Sequence, residues 1–298
     1  MKQATTVEQQ LKILTDPNRG MIIDIDYKKA KEILCDIGYF RLGFYCFPFE
    51  TTYPNCTNRS HQYKKGTKFS DVVNLYYFDV DLRNILSKYI NRIEINFRTN
   101  IIYRVSNQYI HSNTWFIDNS VMEKSFIDRF DKEFYTDNFK KNPIIKRHHE
   151  KYINDKYAPA WKTLEFFTFG AMLNLYKNLK NRQIRQEIAA QYNINNAIKS
   201  DSILENYFNC IVEIRNLCAH GNVLFDHKLN RRLVNGPAIK ITNNSFQLYS
   251  AIKVIQYVLK SVSDNRANDF QKEIDNLFDK YKKNDVLYSL ISSCVGLN

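Results

Sequence analysis

The chain has 298 residues, 43 Lys and Arg against 31 Asp and Glu, a formal charge of +12, and a composition that is 44% apolar and 14% aromatic. That is enough apolar material for one large core or two smaller ones, and it excludes a disordered chain. With only eight Gly and six Pro, an all-β chain of tight turns and a Gly-rich nucleotide fold are both disfavoured, and the expected class is all-α. The positive balance suits a polyanionic partner, because it concentrates phosphates near the surface. No apolar run approaches the roughly 18 to 20 residues that cross a bilayer. The most apolar window, Phe40 to Phe49, contains Arg41. The opening MKQATTVEQQLKIL is polar where a secretion signal needs an apolar stretch, so a cytoplasmic protein with no membrane partner is predicted. The six Cys form no CxxC pair and no zinc spacing with His, so free thiols and no metal site are expected.

In chain order, residues 5–16 read as a short helix with Thr5 or Thr6 as N-cap, ended by Asp16 and Pro17. A second helix fits Tyr27 to Ile37, started by Asp26 and closed by Gly38. The aromatic run YFRLGFYCFPFE follows, then a polar stretch from Thr51 to Gly66 that reads as an excursion loop. The clearest helix spans about Asp71 to Tyr109 and holds neither Gly nor Pro. An unbroken helix of that span would approach about 60 Å, so a break near Asp79 is expected.

Residues 140–157 read as a linker or lid, in which His148 and His149 would be exposed loop residues. An apolar helix then spans roughly 160–179, with Gly170 inside it where another backbone could approach closely. Lys180, Arg182 and Arg185 form a basic cluster, and Ile184 to Gln191 is amphipathic. Asp201 and Ser202 can cap a helix from Ile203 to about Ala219, which must stop at Gly221 and Asn222. Two further amphipathic helices fit Phe246 to Val262 and Ala267 to Lys282.

The segment EIRNLCAHGN, residues 213–222, carries the chemistry. Arg215 and His220 are five positions apart, about 140° around an ideal helix. Both can address one phosphate only if the helix ends near His220, and Gly221 supplies such an end. A phosphate would then meet a fixed guanidinium and an imidazole that exchanges protons near neutral pH. Arg104 and His111 form a second Arg/His pair on one helix face, weaker because Val105 and not an amide follows the arginine.

RNLCAH resembles the R-x4-6-H motif of HEPN domains, which are helical ribonucleases and RNA-binding modules. The ordered segments IGYFRLGFYCFPFE (37–50), GTKFSDVVNLYYFDVDLRNILSKYINRIEINFRTNIIYRVS (66–106) and PAWKTLEFFTFGAMLNLYKNL (159–179) narrow the resemblance to Abi-like (AbiD/AbiF-type) abortive infection proteins. The resemblance implies an HEPN-like helical bundle over residues 1–240, with an N-terminal aromatic segment at 27–70 and long helices at 71–109 and 160–219. A C-terminal helical extension, 241–298, would pack on the same core. It also implies metal-independent endoribonuclease action, without cofactor, as a toxin or phage-defence effector, and for some relatives a small non-coding RNA partner. Many relatives carry a second His directly after the first, where this chain has Gly221.

RNA carries its own nucleophile, the 2′-hydroxyl, so cleavage needs a proton-transfer group and a cation for the pentacoordinate phosphate. His220 is the candidate acid or base, Arg215 the phosphate partner and Asn216 the orienting amide. One histidine cannot comfortably perform both proton transfers, so a two-fold homodimer with a composite cleft is predicted. The plainer reading of Arg215 and His220 is a helix end where His220 caps carbonyls and Arg215 pairs with an acid. Glu94 and Arg98, at i and i+4, form either a solvated pair or a support for Arg215 in which Arg98 grips RNA. Arg41, Arg104, Lys180, Arg182 and Arg185 are candidate RNA contacts, and solvated or packed surface is the alternative for each. The second functional reading is an HEPN protein that holds a structured small RNA without cutting it.

Overall fold

The computed structural model describes residues 3–193, 201–240 and 245–297. Its helices, in chain order, are α1 (Val7–Thr15), α2 (Tyr27–Ile37), α3 (Tyr39–Cys46), α4 (Phe69–Gln108), α5 (Lys124–Glu133), α6 (Asp137–Lys140), α7 (Pro143–Lys151), α8 (Ala160–Thr163), α9 (Phe169–Lys177), α10 (Arg182–Ala190), α11 (Asp201–Ala219), α12 (Leu248–Val262), α13 (Asp264–Tyr281) and α14 (Asp285–Val295). Among the described residues there is no strand, only isolated β-bridges, and the class is all-α. None of these helices is long and apolar enough to cross a membrane. The chain divides into two compact units, one comprising Met1–Ile85, Gly221–His227 and Glu273–Asn298, the other Leu86–His220 and Lys228–Lys272.

In the first unit, local sequence sets the early helices. Thr6 caps α1 through a reciprocal pair of bonds with Gln9, 3.3 Å to the Gln9 amide and 2.8 Å back from its side chain. Asp26 accepts from the Lys29 amide at 3.1 Å to start α2, which ends at Gly38 with φ +84°. The aromatic run forms α3 and a 3-10 turn, Phe47–Phe49, that turns Leu42, Tyr45 and Phe49 inward. The polar stretch that follows is the expected irregular loop, and the fully buried Glu50 ties it down through Arg59 and His61. Burial works against ionisation of Glu50, but the bonds from Arg59 and His61 outweigh it and hold its carboxyl below the usual carboxylate range.

The expected break near Asp79 is absent, and α4 runs unbroken from Phe69 to Gln108. Apolar residues from Phe69 through Leu82 and on to Val105 are buried, so packing supports the helix along its length. Asp79 does not interrupt it because its carboxylate is fully used. It accepts from the Tyr45 hydroxyl at 2.7 Å and from the Leu224 and Phe225 amides at 3.1 and 2.7 Å, and it pairs with Arg83 one turn on. Burial raises the Tyr45 phenol, which keeps its hydroxyl protonated and donating. Arg83 also donates to the Asn222 carbonyl at 3.0 Å, and Arg41 to the Gly221 carbonyl at 2.9 Å. Residues 221–225 are thus bound within this unit by one carboxylate and two guanidinium groups.

In the second unit, the apolar helix expected over 160–179 is divided. α8 passes into a 3-10 turn, Leu164–Phe166, and Thr168 caps a new helix, α9, by accepting from the Ala171 amide at 3.2 Å. At Gly170 the neighbour is the Val212 side chain, 3.6 Å from the place of a Cβ, so no backbone approaches closely there. Residues 140–157 are not an irregular linker, since Asn142 and Pro143 start α7. His148 is buried in α7 with Nε2 3.1 Å from Asp155, and burial, followed by the Lys162 charge, lowers its pKa. His149 stands 2.9 Å from the Tyr135 hydroxyl. Phe97 centres an aromatic core with Phe169, Tyr176, Tyr192 and Phe208. α11 already includes Asp201 and Ser202, which were expected ahead of it as caps, and α14 is a helix with no counterpart in the sequence reading.

Two outcomes follow for the first unit. Asp79→Ala strips the acceptor from two amides and a hydroxyl and leaves buried Arg83 without its carboxylate, so urea unfolding should register a loss of about 3–5 kcal/mol. The folded-state pKa of Glu50 lies below its unfolded value of about 4.3, so its stabilisation is present above that pH and is lost as pH falls through the folded value. The stability deficit of Glu50→Gln should therefore be full at pH 7 and shrink in acid, as read from urea midpoints across pH.

Candidate active site

The site is built on α11 in the second unit. Leu204, Tyr207, Phe208, Ile211 and Ile214 are buried at helical spacing and fix the rotation of α11 about its axis. Arg215 then falls at the edge of the buried stripe, with its side chain one-third exposed. Asn216 falls on the open face, and His220, four residues on, shares that face. The helix ends at Ala219, although the His220 amide still donates to the Asn216 carbonyl at 3.1 Å. Gly221 follows at φ +62°, the left-handed conformation that glycine enters without steric cost. The helix end that the motif requires is present.

Glu94 of α4 organises the charges. Its Oε2 accepts from Arg215 Nε at 3.2 Å and its Oε1 from Arg98 Nη2 at 3.1 Å. Glu94 and Arg98 side chains are only 12% and 10% exposed, so this is not a solvated surface pair. Arg98 is further held by the Phe167 carbonyl at 2.9 Å and by Glu165 at 3.8 Å, while its buried Nε has no hydrogen-bond partner. Arg215 Nη1 reaches Asn216 Oδ1 only at 3.5 Å, the outer limit of a hydrogen bond. Among the described residues no partner engages Arg215 Nη2 or the exposed His220 imidazole, and none joins those two side chains to each other.

The structure therefore brings together Glu94, Arg98, Arg215 and Asn216, with His220 joined to Asn216 through the backbone. The other basic candidates have separate local roles. Arg41 belongs to the first unit and binds the Gly221 carbonyl. Arg104 donates to Asn100 at 2.7 Å and lies 3.8 Å from Glu187, while His111 falls beyond the end of α4, so these two do not share a helix face. Lys180 donates to the Asn119 carbonyl at 2.6 Å, and Arg185 reaches the Lys177 carbonyl at 3.4 Å. Arg182, in the first turn of α10, is exposed and forms no ion pair among the described residues.

Sequence reasoning missed the Arg98 contact with the Phe167 carbonyl, because it joins segments sixty-nine residues apart and has no periodic signature. It also missed the aromatic cluster of Phe126, Phe130 and Phe134, whose i, i+4, i+8 spacing was the available signal.

A family model described as Abi-like protein matches residues 32–226, more than half of the chain. That span includes Glu94, Arg98, Arg215, Asn216 and His220 and stops shortly after the motif. No curated protein and no solved structure matches the chain.

Removing the Glu94 carboxylate should unpair two arginines together. Glu94→Ala is expected to destabilise by about 3 kcal/mol, mainly because Arg98 stays buried with only the longer contact to exposed Glu165 as counter-charge. Glu94→Gln, which keeps an acceptor oxygen, should lose less. Thermal and urea unfolding of the two variants side by side checks this order.

Proposed function

Because the chain belongs to the Abi-like protein family, whose role is in abortive infection, we propose that it acts on RNA as a metal-independent endoribonuclease, with Arg215, Asn216 and His220 at the reacting phosphate. The observation that carries this reading is the division of labour at the end of α11. Glu94 fixes Arg215 through Nε and leaves the outer Nη2 unpaired on the same open helix end as a free imidazole. A guanidinium pre-oriented by a mostly buried carboxylate can meet a phosphate without losing further side-chain freedom.

In this mechanism the 2′-hydroxyl attacks the adjacent phosphorus as His220 removes its proton, and Arg215 neutralises the charge that builds on the non-bridging oxygens. The P–O5′ bond then breaks, the 5′-oxygen takes a proton, and the products are a 2′,3′-cyclic phosphate and a 5′-hydroxyl. The second proton transfer needs a second histidine, so the working form is a two-fold homodimer in which two copies of His220 face one cleft. Asn216, one turn before His220, can orient the imidazole or the phosphate through its amide.

The large positive balance spread along the chain, and the single histidine where many relatives carry two, favour one competing reading, an HEPN protein that holds a small structured RNA intact. The two readings separate in one assay. Purified protein in EDTA should cut RNA to 2′,3′-cyclic phosphate ends, and His220→Ala and Arg215→Ala should each cut about 100-fold more slowly or worse. Undiminished cutting by His220→Ala removes that residue from the mechanism. Intact RNA that co-purifies and binds His220→Ala equally well establishes the holding role instead.

A further inference from the structure

A cavity of about 530 Å3 opens in the second unit among the end of α5, α6, the 3-10 turn before α9 and the start of α9. Its volume lies within the ordinary small-ligand range of about 300–1,000 Å3. Four phenylalanines line it, Phe134, Phe139, Phe166 and Phe167. Phe134 and Phe167 stack at 5.5 Å with 24° between their planes, and Phe139 meets Phe167 edge-on at 5.8 Å. These three form an assembled wall. Phe166 differs from them, being 37% exposed with no ring partner among the described residues. Its face is open to stack on a flat group.

The polar lining is as selective as the aromatic one. The Asn138 side-chain amide makes no hydrogen bond to a described residue, so both its donor and its acceptor are available. Asn174 uses Oδ1 on Asn178 at 2.8 Å and keeps its own Nδ2 free. Phenyl faces beside free amides are the means by which proteins take up an unstacked base and read its edge.

The cavity is tied to the phosphate-binding cluster twice, both times within the second unit. The carbonyl of Phe167 is held by Arg98, which shares Glu94 with Arg215. Gly170, also in the lining, packs against Val212, one turn before Arg215 on α11. Val212 and His220 are separated by eight residues of sequence, about 12 Å of helical rise, a span that neighbouring nucleotides of one strand can cover.

We infer that this cavity is a base-recognition subsite, which takes the unstacked nucleobase of an RNA strand whose neighbouring phosphate lies at Arg215 and which sets the sequence preference of the site. The inference rests on the proposed action on RNA. Phe166 supplies the stacking face, and Asn138 and Asn174 discriminate among bases.

The test is the binding of four fluorescent homopolymer RNA tetranucleotides, one per base, to full-length His220→Ala protein. This background allows binding to be read without cleavage. One base should be preferred, Phe166→Ala should weaken its binding roughly tenfold, and the double variant Asn138→Ala/Asn174→Ala should bring the four oligomers to within about twofold of one another. All three side chains are partly or fully exposed, and unchanged melting temperatures confirm folding. Wild-type ranking that survives in the double variant overturns the subsite, as does Phe166→Ala that binds like its parent. Failure of the wild-type chain to cut RNA overturns the nuclease reading while these binding results stand, and failure of every oligomer to bind overturns the RNA reading and the subsite together.

Discussion

A carboxylate shielded from water must be met by donors on nearly all of its lone pairs, and Asp79 and Glu94 of α4 meet that demand in parallel ways. Asp79 and Glu94 each face an arginine one turn later on the same helix, Arg83 and Arg98. In each case the intrahelical pair leaves acceptor capacity that a distant segment fills. At Asp79 the donors are the Leu224 and Phe225 amides and the Tyr45 hydroxyl, all within the first unit. At Glu94 the donor is Arg215, within the second. The same i, i+4 arrangement therefore does two jobs, holding backbone in one unit and orienting a cation in the other. Isolated pairs of this kind on a solvated helix contribute only about 0.3–0.5 kcal/mol. Here burial makes them obligatory.

The surplus of positive charge takes a different meaning once its members are located. Arg41, Arg83, Arg98, Arg104 and Arg185 each bind a carbonyl or a side chain of their own unit, so their guanidinium groups are largely committed to the fold. Arg215 differs because its partner engages Nε and leaves the outer edge for a ligand. The field of a +12 chain still draws anions toward the surface, but the orientation of a single phosphate falls to the few cations with unspent donors.

Much of the helical order was legible before any coordinates. The Thr6 box, the Asp26 cap, Gly38 and the helix ending at Ala219 are all local signals, since a cap bonds within three residues of itself. The misreadings have separate causes. The length of α4 suggested a break at Asp79, but its partners lie at residues 45, 224 and 225, out of range of any window. The apolar run at 160–179 looked continuous because hydrophobicity masks a cap, and Thr168 divides it. His148 looked exposed because its surroundings in sequence are charged, yet it is packed inward from α7.

The sequence by itself determined the helical class, most helix ends and the motif of Arg215, Asn216 and His220, because propensity, caps and the RNLCAH string are written in consecutive residues. It also supplied the ordered blocks that carry the family resemblance, which the family match bears out. Only the tertiary structure decided that Glu94 serves Arg215 as well as Arg98, that Arg104 and His111 do not share a helix face, and that four phenylalanines from separate segments line one cavity. Those facts depend on which side of each helix is buried and on what the rest of the chain brings to it. Satisfaction of a buried charge is a condition on three-dimensional neighbours, and no reading of adjacent residues contains it.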